Sequence, residues 1–297
     1  MPSPSPSARS RLQDWLPRLV LAPSFALVLV FVYGFIVWTG VISMTNSRIL
    51  PVYNWVGLDA YARLFAQPNW WMALKNLAIF GSLYITICIA LGLFLAILLD
   101  QKIRIEGFLR PIYLYPMALS FVVTGTAWKW FLNPGMGFQN TMRQWGWEGF
   151  TFDWLVRPDM AIYTVAIAGI WQASGFVMAM FLAGLRGIDS EMLNAATVDG
   201  ASSWTIYRRI VIPLLRPAFL SAVIVLAHMA IKSYDLVIAL TGGGPGNATE
   251  LPSTFMYSYT FTRSQMAVGS ASAMIMLMGI AAIMVPYLYS ELREGRK

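Results

Sequence analysis

The sequence predicts an all-α fold, a polytopic membrane helix bundle with six transmembrane helices. Three observations carry that reading. The chain has 297 residues, of which 58% are apolar and only 12% charged, about half the roughly 25% charge of an ordinary soluble domain. Six apolar stretches reach the ~20 residues that a bilayer core demands of a helix. Positive charge is divided unevenly between alternate loops. The net charge of +7 follows from that division, so no nucleic acid partner is expected.

Taken in order, residues 1–18 read as a cytoplasmic N-terminal tail. They open on the low-complexity run Met1-Pro2-Ser3-Pro4-Ser5-Pro6-Ser7. The first apolar stretch, 19–43, is much longer than the apolar core of a cleaved signal peptide and has no small-residue cleavage site after it, so it reads as a retained span. The second to sixth spans are placed at about 74–99, 111–131, 160–185, 217–240 and 266–289. Residues 293–297 form a short cytoplasmic C-terminal tail. With both termini inside, cytoplasmic segments hold Arg9, Arg11, Arg18, Lys102, Arg104, Arg110, Arg186, Arg208, Arg209, Arg216, Arg293, Arg296 and Lys297. The outer segments hold only Arg48, Arg63, Arg143, Arg157 and Arg263. This asymmetry sets the orientation.

The outer segments 44–73 and 132–159 are rich in tryptophan: Trp55, Trp70 and Trp71 in one, Trp145, Trp147 and Trp154 in the other. Tryptophan favours the headgroup level, so both loops are expected to lie folded on the outer surface. In the sixth span Gly269, Ala271, Ala273, Gly279, Ala281 and Ala282 allow close helix contact.

The cytoplasmic loop 186–216 is built differently. Asp189 or Ser190 can cap a helix and Glu191 suits its first turn. Met192, Leu193, Ala195 and Ala196 give that helix an apolar side. Gly200 permits a turn that a Cβ would resist. Ser202 or Ser203 can start a second helix with Trp204 and Ile206, and Pro213 marks a break before the fifth span. The loop is expected to be a helix-turn-helix knob, set either against lipid or in a groove of a partner.

The order Asn194-Ala195-Ala196, Asp199-Gly200-Ala201, Ile210-Val211-Ile212-Pro213 resembles the signature cytoplasmic loop of permease subunits in binding-protein-dependent ABC importers. Where that family usually has glutamate before the alanine pair, this chain has Asn194, which keeps a polar tip without the charge. Tyr115 to Ser120, Trp128-Lys129-Trp130, Asn133-Pro134, Trp171-Gln172, Gly175-Phe176, Phe181 to Leu185 and Leu240 to Thr249 are similar to spans three to five of the carbohydrate branch. The chain is thus identified with the MalF-type permeases, within them the glucose/mannose group. The resemblance implies a permease domain over 19–292 with its core at about 70–292, in the bacterial cytoplasmic (inner) membrane. It implies an ATPase-coupling set of Glu191, Asn194, Ala195, Ala196, Asp199, Gly200 and Ala201. It implies as partners a second permease subunit, a cytoplasmic ATPase dimer that holds ATP-Mg, a periplasmic sugar-binding protein and a carbohydrate substrate.

The chain itself lacks a phosphate-binding motif, since Gly242-Gly243-Gly244 is not followed by Gly-Lys-Ser/Thr. No cofactor, metal site or catalytic set is expected: Cys88 and His228 stand far apart inside apolar runs. Lys232 and Asp235, three residues apart in the fifth span, can share a helix face, either as a buried structural pair or as part of a polar pathway wall, or Lys232 can face lipid and snorkel. Trp128, Trp171, Tyr234 and Asp235 supply the flat apolar faces and hydrogen-bonding groups that a sugar needs. The alternatives are a secondary active transporter, which would carry more spans or an intramembrane carboxylate relay, and a structural membrane subunit.

Overall fold

The computed structural model describes residue 18, residues 20–101 and residues 106–294, the side chains of 290–294 excepted. The N-terminal tail to residue 17, Lys102, Arg104 and residues 295–297, with Arg296 and Lys297, lie outside the described residues, as does the side chain of Arg293.

Among the described residues four helices are long and apolar enough to cross a membrane: Val20–Ile42, Pro68–Asp100, Ala161–Arg186 and Met266–Tyr289. They coincide with the first, second, fourth and sixth expected spans. The second and fourth pack along most of their length and supply Phe80, Cys88, Ala96, Val165, Ala173, Val177 and Phe181 to the main core. The first span is exposed over most of its length and half-buried at Ile36, Thr39, Gly40 and Val41 before Ile42 is buried, and its contacts go chiefly to the sixth, where Gly40 meets Met274.

The third and fifth spans are not continuous helices, which corrects the sequence expectation. The third consists of Glu106–Ala118 and Phe121–Phe131. Pro111 and Pro116 lie inside the first piece, where each removes a backbone donor and crowds the preceding turn. The chain breaks at Leu119–Ser120, and Ser120 restarts the helix by accepting from the Val123 N–H at 3.3 Å. The fifth span runs Arg216–Ile231, stops, and resumes over Asp235–Leu240. Apolarity, which guided the expectation, is blind to both interruptions. The second pieces of the two broken spans pack on each other, so closely that a Cβ on Gly125 would stand 2.6 Å from the Ala239 Cβ.

A second, smaller core lies at the end of the bundle away from the 186–216 loop. Ala60, Leu64, Trp70 and Ala73 meet Phe255, Tyr259, Ala267, Val268 and Ala271. Trp70 is fully buried, with its ring 5.2 Å from Phe255. It is therefore core and not a headgroup anchor, whereas Trp55, Trp71, Trp145 and Trp147 are exposed as expected. In the sixth span Gly269 and Ala271 pack inward, while Gly279 meets nothing within 4 Å.

Candidate functional site

Two places carry the candidate residues. The first is the knob between the fourth and fifth spans. Asp189 caps the helix Ser190–Val198 by accepting from the Glu191 N–H at 2.8 Å, and Ser202 caps Ser203–Ile206 by accepting from the Thr205 N–H at 3.3 Å. Between them Gly200 sits at φ +79°, in the left-handed region where a side chain is disfavoured. The turn is closed by the Gly200 N–H to the Thr197 carbonyl and the Ala201 N–H to the Ala196 carbonyl, both 3.0 Å.

Leu193 and Ile206 face inward and pack on the main core, so the knob is anchored. Met192, Val198 and Trp204 face outward, with Val198 87% and Trp204 74% exposed. Glu191, Asn194, Ala195, Asp199 and Gly200 are exposed beside them, and Ala196 and Ala201 are half-buried. The result is an apolar surface with a polar rim, fixed from behind. The expected break after Pro213 falls two residues later. A π-helical segment, Tyr207–Val211, precedes Ile212–Leu214, and the chain turns by 61° into the fifth span. The ring of Pro213 disrupts the turn before it, and the wider π segment absorbs the misfit.

The second place is the pair of helix breaks. Within a membrane, an interrupted helix must satisfy its freed backbone groups from inside the protein. Gln172 Nε2 donates to the Leu119 carbonyl at 2.8 Å. Ser253 Oγ donates to the Ser233 carbonyl at 3.0 Å. The loop after the fifth span is bound in the same manner: the buried Asn76 amide donates to the Ala248 and Glu250 carbonyls, each at 3.0 Å. These roles of Gln172, Ser253 and Asn76 were not found from sequence. Nothing in apolar periodicity marks them, although a buried amide in a span demands a partner.

Lys232 caps the end of the first piece of the fifth span and Asp235 begins the second. Both are exposed and they form no ion pair with each other. The shared helix face expected for them does not exist, because the helix stops between them.

Tyr234 contacts Tyr257, ring centroids 4.8 Å apart. Both line a cavity of about 230 Å³ with Asn247, Glu250, Thr254 and Ser258. Glu250 is buried, one of its oxygens has no hydrogen-bond partner, and burial raises its pKa against the opposing pull of Arg263. Trp128 and Trp171 form an edge-to-face pair at 5.9 Å and do not line this cavity. The structure thus gathers the aromatic candidates into two groups. Tyr257 and Glu250 are additions that lie outside the span containing Tyr234, which is why the sequence did not join them. Among the described residues no group of three or more His, Cys, Asp or Glu side chains could hold a metal ion.

The sequence profile described as "Binding-protein-dependent transport system inner membrane component" matches residues 9–293. The chain is 42% identical to a "Probable ABC transporter permease protein" of Pyrococcus horikoshii, over 91% of this chain and 94% of that one. It is 38% identical to the "Xylose/arabinose import permease protein XacH" of Haloferax volcanii, over 91% and 86%. The fold resembles that in the "Crystal structure of a bacterial ABC transporter involved in the import of the acidic polysaccharide alginate". There the TM-score is 0.80 at 20% identity, covering 97% of this chain and 98% of that one.

Proposed function

The chain belongs to the family of binding-protein-dependent transport system inner membrane components, and from that membership we propose that it forms half of a carbohydrate pathway and couples it to a separate ATPase. A multi-pass membrane permease of an ABC importer is what the family and fold establish, and the secondary-transporter and structural-subunit alternatives are set aside. Sugar as the cargo is supported by the relative named for xylose and arabinose. The assignments to the MalF type and the glucose/mannose group rest on the motifs of spans three to five.

The observation that carries the coupling role is the anchored knob with an outward apolar face at Met192, Val198 and Trp204. An apolar surface held rigidly from behind suits a groove on a partner. The coupling set is Glu191, Asn194, Ala195, Ala196, Asp199, Gly200 and Ala201, on a loop over 186–216 within a permease domain at 19–292. The partners are a cytoplasmic ATPase dimer, which binds ATP-Mg, a second permease subunit and a periplasmic sugar-binding protein. The host membrane is the bacterial cytoplasmic membrane, with both termini and the knob inside.

On the opposite side, Tyr234 and Asp235 at the break of the fifth span, with Tyr257 and Glu250, form the favoured sugar-facing group. Trp128 and Trp171 are the second candidate wall. Gly200→Val, which forces a branched side chain into the left-handed region, is expected to abolish ATPase association in a pull-down and reduce sugar uptake at least about tenfold, a loss of about 1.4 kcal/mol or more of coupling. Membrane insertion should stay normal. Unchanged association with unchanged uptake would remove the knob from this role. Sidedness is read separately in a Cys88→Ala background. A cysteine at Trp147 should react with an impermeant reagent from outside, and one at Ser202 only after permeabilisation.

A further inference from the structure

Five arginines stand in the segments assigned to the outer side, against the usual bias of charge. Two of them are satisfied locally: Arg157 pairs with Asp159 at 2.7 Å, and Arg143 donates to the Phe150 carbonyl at 2.9 Å. The other three, Arg48 and Arg63 from the segment between the first two spans and Arg263 from the one before the sixth, line one cavity of about 560 Å³ with Gln67 and Gln265.

One internal carboxylate, Asp59, pairs with this group, which leaves the cluster with a net positive charge. Arg48 is exposed and makes no ion pair among the described residues. Arg63 lies 2.9 Å from Asp59, yet its Nε and Nη2 lack an aligned hydrogen-bond acceptor. Arg263 is held over the Tyr259 ring at 4.6 Å and donates to its hydroxyl at 3.0 Å, which in turn donates to Gln67. Glu250 feels Arg263 but does not pair with it. The cavity wall is fixed, because the Met266 and Ala267 N–H groups donate to the carbonyls of Arg48 and Ser47 at 3.0 Å.

The same cavity stands at the outer end of the seam between the first and sixth spans. Further along that seam lies an apolar groove of about 220 Å³, lined by Phe35, Ile36, Thr39, Ala273, Met274 and Leu277. Ala273 and Leu277 are seven and eleven residues beyond Met266, roughly 10–16 Å along the helix. Guanidinium groups are well suited to phosphate oxygens, which they meet with paired N–H donors. A cationic pocket just beyond the ends of these two helices, above an apolar groove between them, matches one molecule that has a phosphate at its head and hydrocarbon below.

We propose that Arg48, Arg63 and Arg263 bind the phosphate of an outer-leaflet anionic phospholipid whose acyl chain lies in the groove between the first and sixth spans. The lipid fills a seam that the protein alone leaves open below Gly40. The leaflet rests on the outside placement of these segments in the proposed topology, whereas the pocket and groove do not.

The test uses the intact chain in its assembled form, purified in neutral detergent and examined by native mass spectrometry. It is supplied in turn with dioleoylphosphatidylglycerol, dioleoylphosphatidylcholine and inorganic phosphate. One phosphatidylglycerol per copy should survive activation that strips phosphatidylcholine. Retention should fall about fivefold for each arginine removed, since one such charge is worth about 1 kcal/mol near anionic lipid.

Arg48→Gln is the first variant, because Arg48 supports no other side chain and its loss should leave the fold intact. The triple variant with Arg63→Gln and Arg263→Gln should lose the lipid altogether. Thr39→Trp fills the groove and should weaken phosphatidylglycerol while leaving inorganic phosphate unaffected. Undiminished phosphatidylglycerol in Arg48→Gln overturns the proposal. So does equal competition by inorganic phosphate with no effect of Thr39→Trp, which would mean a free-anion site. Loss of binding-protein docking in Arg48→Gln with lipid retention unchanged also overturns it, in favour of a protein interface. Asn46→Cys in the Cys88→Ala background fixes the leaflet independently: labelling only after permeabilisation would refute outer-leaflet binding even if the lipid is retained.

Discussion

The second and fourth spans are continuous helices of 33 and 26 residues, whereas the third is broken near its middle and the fifth closer to its C-terminal end. The continuous pair holds most of the main core, and its mid-span side chains are mostly apolar or small, with Gln172 a polar exception turned toward the neighbouring break. The broken pair carries Lys232, Ser233, Tyr234 and Asp235 at one break and Leu119-Ser120 at the other. Continuity lets every backbone group bond within its own helix. A break needs outside donors, and here Gln172 and Ser253 supply them. The contrast separates a scaffold that bears packing from a layer that presents polar atoms at membrane depth. The proposed pathway belongs to the second.

The sharpest way to break this division is at the contact between the two kinds of span. Gly175, on the continuous fourth span, has no room for a Cβ because the Tyr113 carbonyl occupies the space. Gly175→Ala should therefore destabilise the assembled protein by about 3 kcal/mol or more, the upper part of the overpacking range. It is read as a fall in thermal midpoint in detergent. Gly125→Ala, between the two broken spans, should cost about 1–3 kcal/mol, since Ala239 and its short helix can yield. If Gly125→Ala proved the more damaging, the broken layer would be the rigid one.

A smaller effect is expected at Glu250. Burial holds its carboxyl above the ordinary value, so the folded protein favours the neutral form. Its contribution is present at low pH and is lost as pH rises from the unfolded carboxyl value through the raised folded one. Glu250→Gln should raise stability slightly at neutral pH and flatten that slope in pH-dependent thermal unfolding. An unchanged slope would show that Arg263 compensates the burial.

The least effect on stability is expected from Lys232→Met and Asp235→Asn. As exposed, unpaired charges on either side of a break, each should shift stability by less than about 1 kcal/mol. The double change should equal the sum within about 0.5 kcal/mol. A recovery in the double variant would reveal a pairing formed only in the assembled transporter. Uptake measured on the same variants separates a pathway role from a neutral one.

The helical class, four of the spans and the knob were legible in the sequence. Long apolar runs reported the spans, and Asp189, Gly200 and Ser202 announced caps and a turn by chemistry that is local to a few residues. The two breaks were not legible as breaks. Pro116 hinted at one, but proline also occurs in uninterrupted membrane helices, and the donors that make a break tolerable come from residues such as Gln172 and Ser253, 53 and 20 positions away. Trp70 was misplaced for a similar reason: its burial depends on Phe255, whose proximity no local pattern encodes. The lysine–aspartate pairing failed because the three-residue spacing was read on a helix that ends at Ile231.

The seam between the first and sixth spans has a consequence for how the protein is made. Ile42 and Met266, which mark its outer end, are separated by more than 200 residues of chain. At a synthesis rate of ~5–20 residues per second, the first helix leaves the ribosome roughly ten to fifty seconds before its main neighbour exists. Through that interval it waits without the neighbour it will pack on. The seam therefore closes late, when the sixth span comes to rest against a helix made long before it.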